Sequence, residues 1–250
     1  MAFPADAPPS AEAVAFMKQS FRHPDMDKHL ADAVFKGMFD EVVKGFVSNV
    51  KTQPGGFKAT SGVTLRYYLN LSTNFMDPVN APRIVALLSR LLLAVHAEVA
   101  SSPDEKVTLV GMEVAGGMMI CQLVAANNAE LNKKFDFVYM RKSKKTTGTA
   151  QQLEGLKMFT TRTKDSPPMT AIWVDDVNST GSSLTEGCET LEADYNIRVK
   201  MAVYLVDRSV DRANLAPEKC WLARPRYVEG HTKIRALMDL VEIDSLVPDV

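Results

Sequence analysis

The sequence predicts an α/β protein in which helices flank a mainly parallel, twisted sheet. Apolar segments of strand length alternate with segments of helical periodicity between residues 84 and 206, and several of these strands run into glycine-rich or hydroxyl-rich turns. Strands that alternate with helices usually pair in parallel through right-handed crossovers. The chain of 250 residues, with 46% hydrophobic and 24% charged residues, is long and apolar enough to bury such a core.

The N-terminal region predicts helices rather than strands. Apolar residues recur at helical spacing over residues 11–50, and Pro24 divides this stretch into two helices. Residues 53–56 (Gln-Pro-Gly-Gly) are a turn signal, and residues 64–71 have the aromatic and branched content of a strand.

These signals predict a boundary near residue 55. Residues 1–55 are interpreted as an N-terminal helical extension. Residues 56–250 form the main domain, which includes a small accessory segment at 57–75.

The middle of the chain contains a strand, turn and helix in sequence. Residues 84–99 are dense in Leu, Val and Ala and predict a largely buried helix. Residues 107–110 predict a strand, 111–117 a glycine-bearing turn, and 118–128 the following helix. Residues 135–140 predict the next strand.

A basic run, residues 141–145, follows that strand directly. Residues 146–168 lose apolar periodicity and predict a long loop or a poorly packed hairpin, and long loops inside compact domains are often functional lids. A buried strand at 171–174, a helix at 183–195 and a strand at 200–206 complete the pattern.

Composition excludes several classes of function. A formal net charge of -1 gives no field that would gather nucleic acid or a membrane surface, and no apolar run approaches membrane-spanning length. The sequence also lacks a leader pattern, so we expect a cytoplasmic protein. The cysteines and histidines have no metal-ligand spacing, which argues against a zinc site, a disulfide framework and a Ser/His/Asp triad. These residues are Cys121, Cys188, Cys220, His23, His29, His96 and His231.

The most informative segment is residues 171–183, Ala-Ile-Trp-Val-Asp-Asp-Val-Asn-Ser-Thr-Gly-Ser-Ser. A buried strand delivers Asp175 and Asp176 to its C-terminal end, and a small hydroxyl-rich loop then opens a helix, which is where open α/β sheets bind ligands. Loop N–H groups and a helix N-terminus attract phosphate, whereas carboxylates suit ribose hydroxyls or a cationic transition state. The alternative is a helix-capping turn with no ligand. The P-loop pattern of nucleoside triphosphatases is absent from the sequence.

Residues 174–183 resemble the signature of the type I phosphoribosyltransferases. The resemblance implies that Asp175 and Asp176 are catalytic and hold the ribose hydroxyls of phosphoribosyl pyrophosphate (PRPP). It also implies that the following loop binds the 5-phosphate. That loop comprises Val177, Asn178, Ser179, Thr180, Gly181, Ser182 and Ser183.

The flanking segments resemble orotate phosphoribosyltransferase more specifically. Residues 139–145 with Thr147 and Gly148 resemble its basic loop, and residues 205–208 (Leu-Val-Asp-Arg) resemble the strand end whose arginine grips the orotate carboxylate. Weaker matches at 111–117 and in the accessory segment, the family's hood, extend the resemblance over residues 57–208. It implies PRPP binding by Arg141, Lys142 and Lys145, a catalytic role for Lys145, and base binding by Tyr68, Ser179 and Arg208.

Three positions depart from the family pattern: Thr60, Ala115 and Thr147 stand where a lysine, a lysine and a histidine are usual, with Lys58 two residues before Thr60. Each departure removes a possible phosphate donor, so a different base or a non-catalytic PRPP sensor remains an alternative. A basic run is also commonly a solvated loop, and strand tyrosines such as Tyr68 commonly only pack the sheet.

The implied reaction transfers the phosphoribosyl group of PRPP to orotate, giving orotidine 5'-monophosphate and pyrophosphate in pyrimidine biosynthesis. Mg²⁺ is the expected cofactor, held mainly by pyrophosphate and water rather than by direct protein ligands. The expected partners are therefore small molecules, and the family resemblance also implies a homodimer.

Overall fold

A computed structural model describes residues 10–58, 64–144, 151–208, 211, 215 and 220–247. Two strands form a small antiparallel hood, β1 (Val50–Lys58) and β2 (Thr64–Leu69). The main sheet contains β3 (Val107–Met112), β4 (Phe135–Met140), β5 (Leu153–Gly155), β6 (Met169–Asn178), β7 (Ile197–Asp207) and β8 (Lys233–Asp239).

The main sheet has six strands in the order β5-β4-β3-β6-β7-β8, and only the β4–β5 pair among these is antiparallel. Gly111 pairs with Val174, which in turn pairs with Val203, so the carboxyl ends of β3, β6 and β7 lie along one edge. The prediction of a mainly parallel α/β sheet is confirmed. That edge is where parallel sheets place ligands.

Helices cover both faces of this sheet. They are α1 (Ala11–Lys18), α2 (Met26–Leu30), α3 (Ala33–Ser48), α4 (Leu71–Met76), α5 (Asn80–Val99), α6 (Ala115–Ala125), α7 (Ala129–Lys134), α8 (Lys157–Thr160), α9 (Ser182–Tyr195), α10 (Pro225–Val228) and α11 (Leu240–Asp244). A 3-10 turn spans Trp221–Ala223. None of the described helices is long and apolar enough to cross a membrane.

Side-chain alternation along β6 divides the core into two layers. Ile172 and Val174 pack into the layer that contains α3 and α5, whereas Ala171 and Trp173 pack into the layer under α9. Successive strand residues point to opposite faces, and both faces are covered, so residues 171–174 are all apolar instead of alternating with polar residues.

The N-terminal residues pack against both layers. Helix α3 begins after Asp32, whose carboxylate accepts hydrogen bonds from the N–H groups of Val34 and Phe35, and it packs along α5. The chain before it forms a parallel bridge to the free edge of β8, where Arg22 pairs with Ala236. This segment thus extends the sheet edge.

The turn signal at residues 53–56 lies inside β1 rather than between elements. Gly55 and Gly56 have φ angles of +79° and +72°, and the register with β2 shifts between Thr52 and Phe57. The glycines therefore produce an irregularity within the strand, because they adopt positive φ without steric cost. The boundary proposed near residue 55 consequently falls within a strand.

Two other segments also differ from expectation. The predicted long loop at 146–168 contains β5 and α8. Phe159 of α8 is buried in the core. Strand β8 was not predicted at all, although its Ile234, Ala236 and Leu237 are buried. Elements of three to seven residues offer too few positions for a periodic signal to be distinguished from a loop.

Candidate functional site

The carboxyl edge of the main sheet and the hood enclose a cavity of about 690 Å³. The sheet contributes the continuous run 175–184 together with Tyr204 and Arg208. The hood contributes Lys51, Phe57, Lys58, Leu65, Tyr68 and Leu69. The predicted acidic pair, loop, tyrosine and arginine are therefore brought together around a single space.

The loop between β6 and α9 lies on the cavity wall and is held there by backbone hydrogen bonds. Arg208 N–H donates to the Asn178 carbonyl at 2.9 Å, and Trp221 N–H donates to the Thr180 carbonyl at 2.9 Å. Gly181 has a φ of +79°, and a Cβ at this position would overlap the side chain of Leu222. Glycine is thus required twice, for the backbone angle and for the close approach.

Helix α9 begins at Ser182, directly after Gly181. The first N–H groups of a helix lack intrahelical acceptors, and its dipole places partial positive charge at this end. The wall formed by Ser179, Thr180 and Ser183 adds hydroxyl groups beside it. This geometry suits a phosphate group.

Asp175 and Asp176 line the cavity immediately before that loop. Asp176 N–H donates to Asp175 Oδ1 at 3.0 Å, and Val177 N–H donates to Asp176 Oδ1 at 2.8 Å. Gly116, at the start of α6, approaches so closely that a Cβ there would lie 2.5 Å from the Val174 carbonyl oxygen. Its N–H also donates to Asp175.

Burial dominates the electrostatics of this pair. Both side chains are recessed although part of each faces the cavity. Loss of hydration raises the pKa of Asp175 well above its usual value, and the neighbouring Asp176 carboxylate raises it further. Burial also raises the pKa of Asp176. Hydroxyl donors or a developing positive charge in the cavity would relieve this cost.

Arg208 follows β7 and is only 4% exposed, yet it reaches the cavity. Its Nε donates to the Asp211 carboxylate, and its guanidinium carbon lies 5.9 Å from the centre of the Tyr67 ring. Tyr68 projects from the hood with 47% of its surface exposed, and its ring lies 6.0 Å from that of Phe57. The Arg208 guanidinium and the rings of Tyr68 and Phe57 therefore line the same cavity as the acidic pair.

The basic run is not part of this wall in the described residues. Arg141 Nε donates to Glu154 Oε1 at 2.9 Å, and Lys142 N–H donates to Glu113 Oε2 at 3.2 Å. Both lie beyond the carboxyl end of β4, on the same sheet edge but outside the cavity lining. Lys145, Thr147 and Thr60 lie outside the described residues.

Several wall residues were missed by sequence reasoning. Tyr204 is paired with Asp175 in the β6–β7 register, and Lys51 is the second residue of the hood strand β1. Tyr204 carries a signal, since parallel pairing of the two predicted strands places a residue near the end of the second strand beside the acidic end of the first. Lys51 carries none, because its place depends on how the hood folds over the sheet.

Many solved structures are similar to the chain, and they include an orotate phosphoribosyltransferase, a UMP synthase and an adenine phosphoribosyltransferase. The orotate phosphoribosyltransferase of Aeropyrum pernix is 20% identical over 82% of this chain and 97% of its own, with a TM-score of 0.54. The UMP synthase of Leishmania donovani is 19% identical with a TM-score of 0.58, over 85% of this chain and 38% of its own. The adenine phosphoribosyltransferase of Trypanosoma brucei is 15% identical with a TM-score of 0.51, over 83% and 82%.

No family model matches the chain, and no curated protein matches it either. The likeness to solved structures shows the fold of the phosphoribosyltransferases, and orotate phosphoribosyltransferases recur among them. This result confirms the predicted fold class.

Proposed function

We propose that the protein transfers the phosphoribosyl group of PRPP to orotate and releases pyrophosphate. The observation that carries this proposal is the placement of Asp175–Ser183 and Arg208 around one cavity of about 690 Å³. Acidic groups suited to ribose hydroxyls, a loop suited to a 5-phosphate and a buried cation suited to a carboxylated base thereby line one cavity.

The loop from Asn178 to Ser183 is the proposed 5-phosphate site. Its backbone is fixed by the hydrogen bonds to Asn178 and Thr180, and α9 directs its N-terminus toward the cavity. Backbone N–H groups and hydroxyls then replace the water around a phosphate without further ordering of the chain.

Asp175 and Asp176 are the proposed partners of the ribose hydroxyls. Both groups accept hydrogen bonds when ionised, and ribose hydroxyls are donors. As the bond from the ribose anomeric carbon to pyrophosphate oxygen breaks, positive charge grows on the ring, and nearby carboxylates stabilise it. The base nitrogen releases its N–H proton to solvent and forms its bond on the opposite face, and pyrophosphate leaves with the electron pair of the broken bond.

We propose that Mg²⁺ enters with PRPP, as part of the substrate. Within the described ranges, no group of three or more His, Cys, Asp or Glu side chains is arranged to hold a metal ion. Pyrophosphate and water oxygens suit Mg²⁺, and the ion neutralises charge on the leaving group. Asp175 and Asp176 line the cavity and would accept hydrogen bonds from water molecules bound to the ion.

Arg208 is the proposed contact for the orotate carboxylate, with Tyr68 and Ser179 beside the ring. Asp211 already accepts from the Nε of Arg208, so a bidentate contact uses the two terminal nitrogens of the guanidinium. Lys51 and Lys58 in the hood add positive charge to the same cavity. The positive charge of Arg208, Lys51 and Lys58 favours an anionic base over a neutral one.

Arg141, Lys142 and Lys145 are proposed to bind the pyrophosphate side of PRPP. The first two lie at the carboxyl end of β4, next to β3, which Glu113 directly follows. Glu154 accepts from the Nε of Arg141, so a contact with phosphate oxygens uses the two terminal nitrogens of the guanidinium. We also propose that the protein is a homodimer, which light scattering on the purified chain tests directly.

A spectrophotometric assay tests the function. Purified protein with PRPP and Mg²⁺ is expected to consume orotate and to leave uracil and adenine largely unreacted. PRPP-dependent loss of another base in place of orotate would contradict the orotate assignment while retaining the transferase. PRPP binding by calorimetry without turnover on any base would instead indicate a sensor.

A further inference from the structure

Asp207 is a buried carboxylate that the proposed reaction does not use. It ends β7, directly before Arg208, and it is 0% exposed. Its Oδ1 accepts a hydrogen bond from Asn178 Nδ2 at 2.8 Å, and its Oδ2 accepts one from Phe21 N–H at 3.0 Å. One carboxylate therefore connects the start of the cavity loop with a segment 186 residues earlier in the chain.

On the loop side, the contact fixes the residue from which the loop departs. Asn178 is the last residue of β6, is 1% exposed, and lines the cavity. Its side chain is bound to Asp207 while its carbonyl accepts from the N–H of Arg208. Strand β7 thus holds both the backbone and the side chain of Asn178.

On the other side, the contact is made by backbone that is itself anchored. Ala236 N–H donates to the Phe21 carbonyl at 2.8 Å, and His23 N–H donates to the Ala236 carbonyl at 2.9 Å. The N–H of Phe21 is therefore fixed by the edge of β8 and points at Asp207.

The same N-terminal segment supports the loop by a second route. Helix α1 packs against the 3-10 turn Trp221–Ala223. Trp221 in that turn donates to the Thr180 carbonyl, and Leu222 packs against Gly181. Two separate connections thus lead from residues before Pro24 to the loop proposed to bind phosphate.

We propose that Asp207 is a positioning residue that anchors the loop 178–183 to the N-terminal segment and so holds the loop in its phosphate-binding conformation. The identity of the ligand, PRPP, rests on the proposed function, whereas the anchoring itself does not. A charged acceptor is suited to this task, because hydrogen bonds to a carboxylate are stronger than those between neutral groups. Displacement of binding groups by about 1 Å is enough to cost roughly a hundredfold in rate.

The first test compares Asp207→Asn with Asp239→Asn. Asp239 is the matched control, because it is also buried, ends the neighbouring strand β8, and pairs with Asp207 in the sheet register. Its side chain caps α11 by accepting from Val241 N–H at 3.2 Å. Both variants lose one buried charge and one acceptor oxygen, but only the first loses an anchor of the loop.

Hydrogen–deuterium exchange of the loop amides and PRPP affinity are the two measurements. Asp207→Asn is expected to accelerate exchange at residues 178–183 and to weaken PRPP binding about tenfold or more, with a smaller change in KM for the base. Asp239→Asn is expected to lower thermal stability without either effect. Equal loop exchange in the two variants would overturn the proposal.

A double variant that exchanges the side chains at positions 178 and 207 keeps the net charge and tests whether the anchoring of the loop can be restored. In Asn178→Asp combined with Asp207→Asn, the new amide at 207 donates to the carboxylate at 178, while its carbonyl oxygen still accepts from Phe21 N–H. Loop protection is expected to recover toward that of the parent. Failure to recover, with the fold intact by circular dichroism, would also count against the proposal.

The N-terminal link is tested by Phe21→Pro against Phe21→Ala. Both lose the buried ring, but only proline removes the N–H that donates to Asp207. Loop exchange is expected to rise further in the proline variant, and equal exchange would show that the N-terminal segment is not the anchor. A parent that fails to bind PRPP would refute the proposed function, whereas the exchange data would still decide the anchoring.

Discussion

At the scale of single residues, Asp175 and Asp176 are placed where solvation disfavours their charged forms. Burial raises the pKa of both carboxyl groups, and in Asp175 the adjacent carboxylate adds to the effect. Such a pair is a poor choice for stability alone. It is understandable in a site that receives hydroxyl donors and a cationic transition state.

Asp175→Asn and Asp176→Asn are expected to impair PRPP use without unfolding the protein. Each loses a charged acceptor, which is worth roughly 1.5–3 kcal/mol, or about one to two decades in kcat/KM for PRPP. Steady-state kinetics with varied PRPP measures the loss. Parent-like kinetics in both variants would contradict the assignment of the pair.

Asp175→Asn is also expected to change how the stability of the protein depends on pH. Because the pKa of Asp175 is raised in the folded state, the unfolded chain loses its proton first as pH rises above about 4. The parent therefore loses stability from there up to the folded-state pKa, whereas Asp175→Asn lacks this decline. Denaturant unfolding from pH 4 to 8 measures the difference, and parallel curves would argue against a raised pKa.

Arg208 makes the prediction about base selectivity. Orotate differs from uracil by one carboxylate, and a nearly buried guanidinium loses a strong contact when that group is absent. Arg208→Ala is expected to cost orotate several kcal/mol at most, on the order of 2–5, and to change uracil little. Parent and variant are compared on both bases at fixed PRPP and Mg²⁺. A uniform loss on both bases would indicate a structural role instead.

At the scale of elements, the β6–α9 connection depends on Gly181. Gly181→Ala places a Cβ at positive φ and against Leu222, which costs about 1 kcal/mol for the backbone and roughly 1–3 kcal/mol for overpacking. Gly230→Ala is the matched control, since Gly230 has a φ of +75° and open space around its Cα. PRPP affinity and melting temperature are expected to fall more in the first variant. Similar losses of PRPP affinity and melting temperature in both variants would show that the contact with Leu222 has no effect.

The segment after β4 gives a second prediction at this scale. Lys145→Ala is expected to lower kcat more than PRPP binding, because negative charge on pyrophosphate grows as the bond breaks. Lys144→Ala is the control, since Lys144 Nζ lies 2.7 Å from Asp194 Oδ2, away from the main cavity. Single-turnover kinetics and calorimetry separate the two quantities. Identical behaviour of both variants would place Lys145 among solvated surface lysines.

At the scale of the whole molecule, the proposed division into residues 1–55 and 56–250 raises the question of whether the two parts unfold together as one cooperative unit. Helix α3 buries five side chains in the same core layer as β3 and β6. We therefore propose that the N-terminal extension, although distinct in sequence, unfolds together with the rest of the chain.

Phe46→Ala tests this proposal. Phe46 is fully buried in α3, and its truncation is expected to cost about 3–5 kcal/mol and to shift a single calorimetric transition. Val34→Ala on the same helix, at a position 72% exposed, is expected to stay within about 0.5 kcal/mol. Two transitions, of which Phe46→Ala moves only one, would show that the extension is a separate unit.

The sequence alone determined the order of elements around the site. A buried strand, two carboxylates, a small hydroxyl-rich loop and a helix are consecutive in residues 171–195, so local periodicity and turn chemistry suffice to predict them. Parallel pairing then places Arg208, at the end of the next strand, beside that loop. These inferences need only short-range rules and the handedness of crossovers.

Only the tertiary structure decided which distant groups complete the site. Phe21 N–H reaches Asp207, Leu222 fits against Gly181, and Lys51 enters the cavity from the hood. None of these contacts has a local signal, because each joins residues that are remote in sequence through packing and strand register. The sequence thus determines which chemistry is available at the sheet edge, whereas long-range packing determines which side chains hold that chemistry in place.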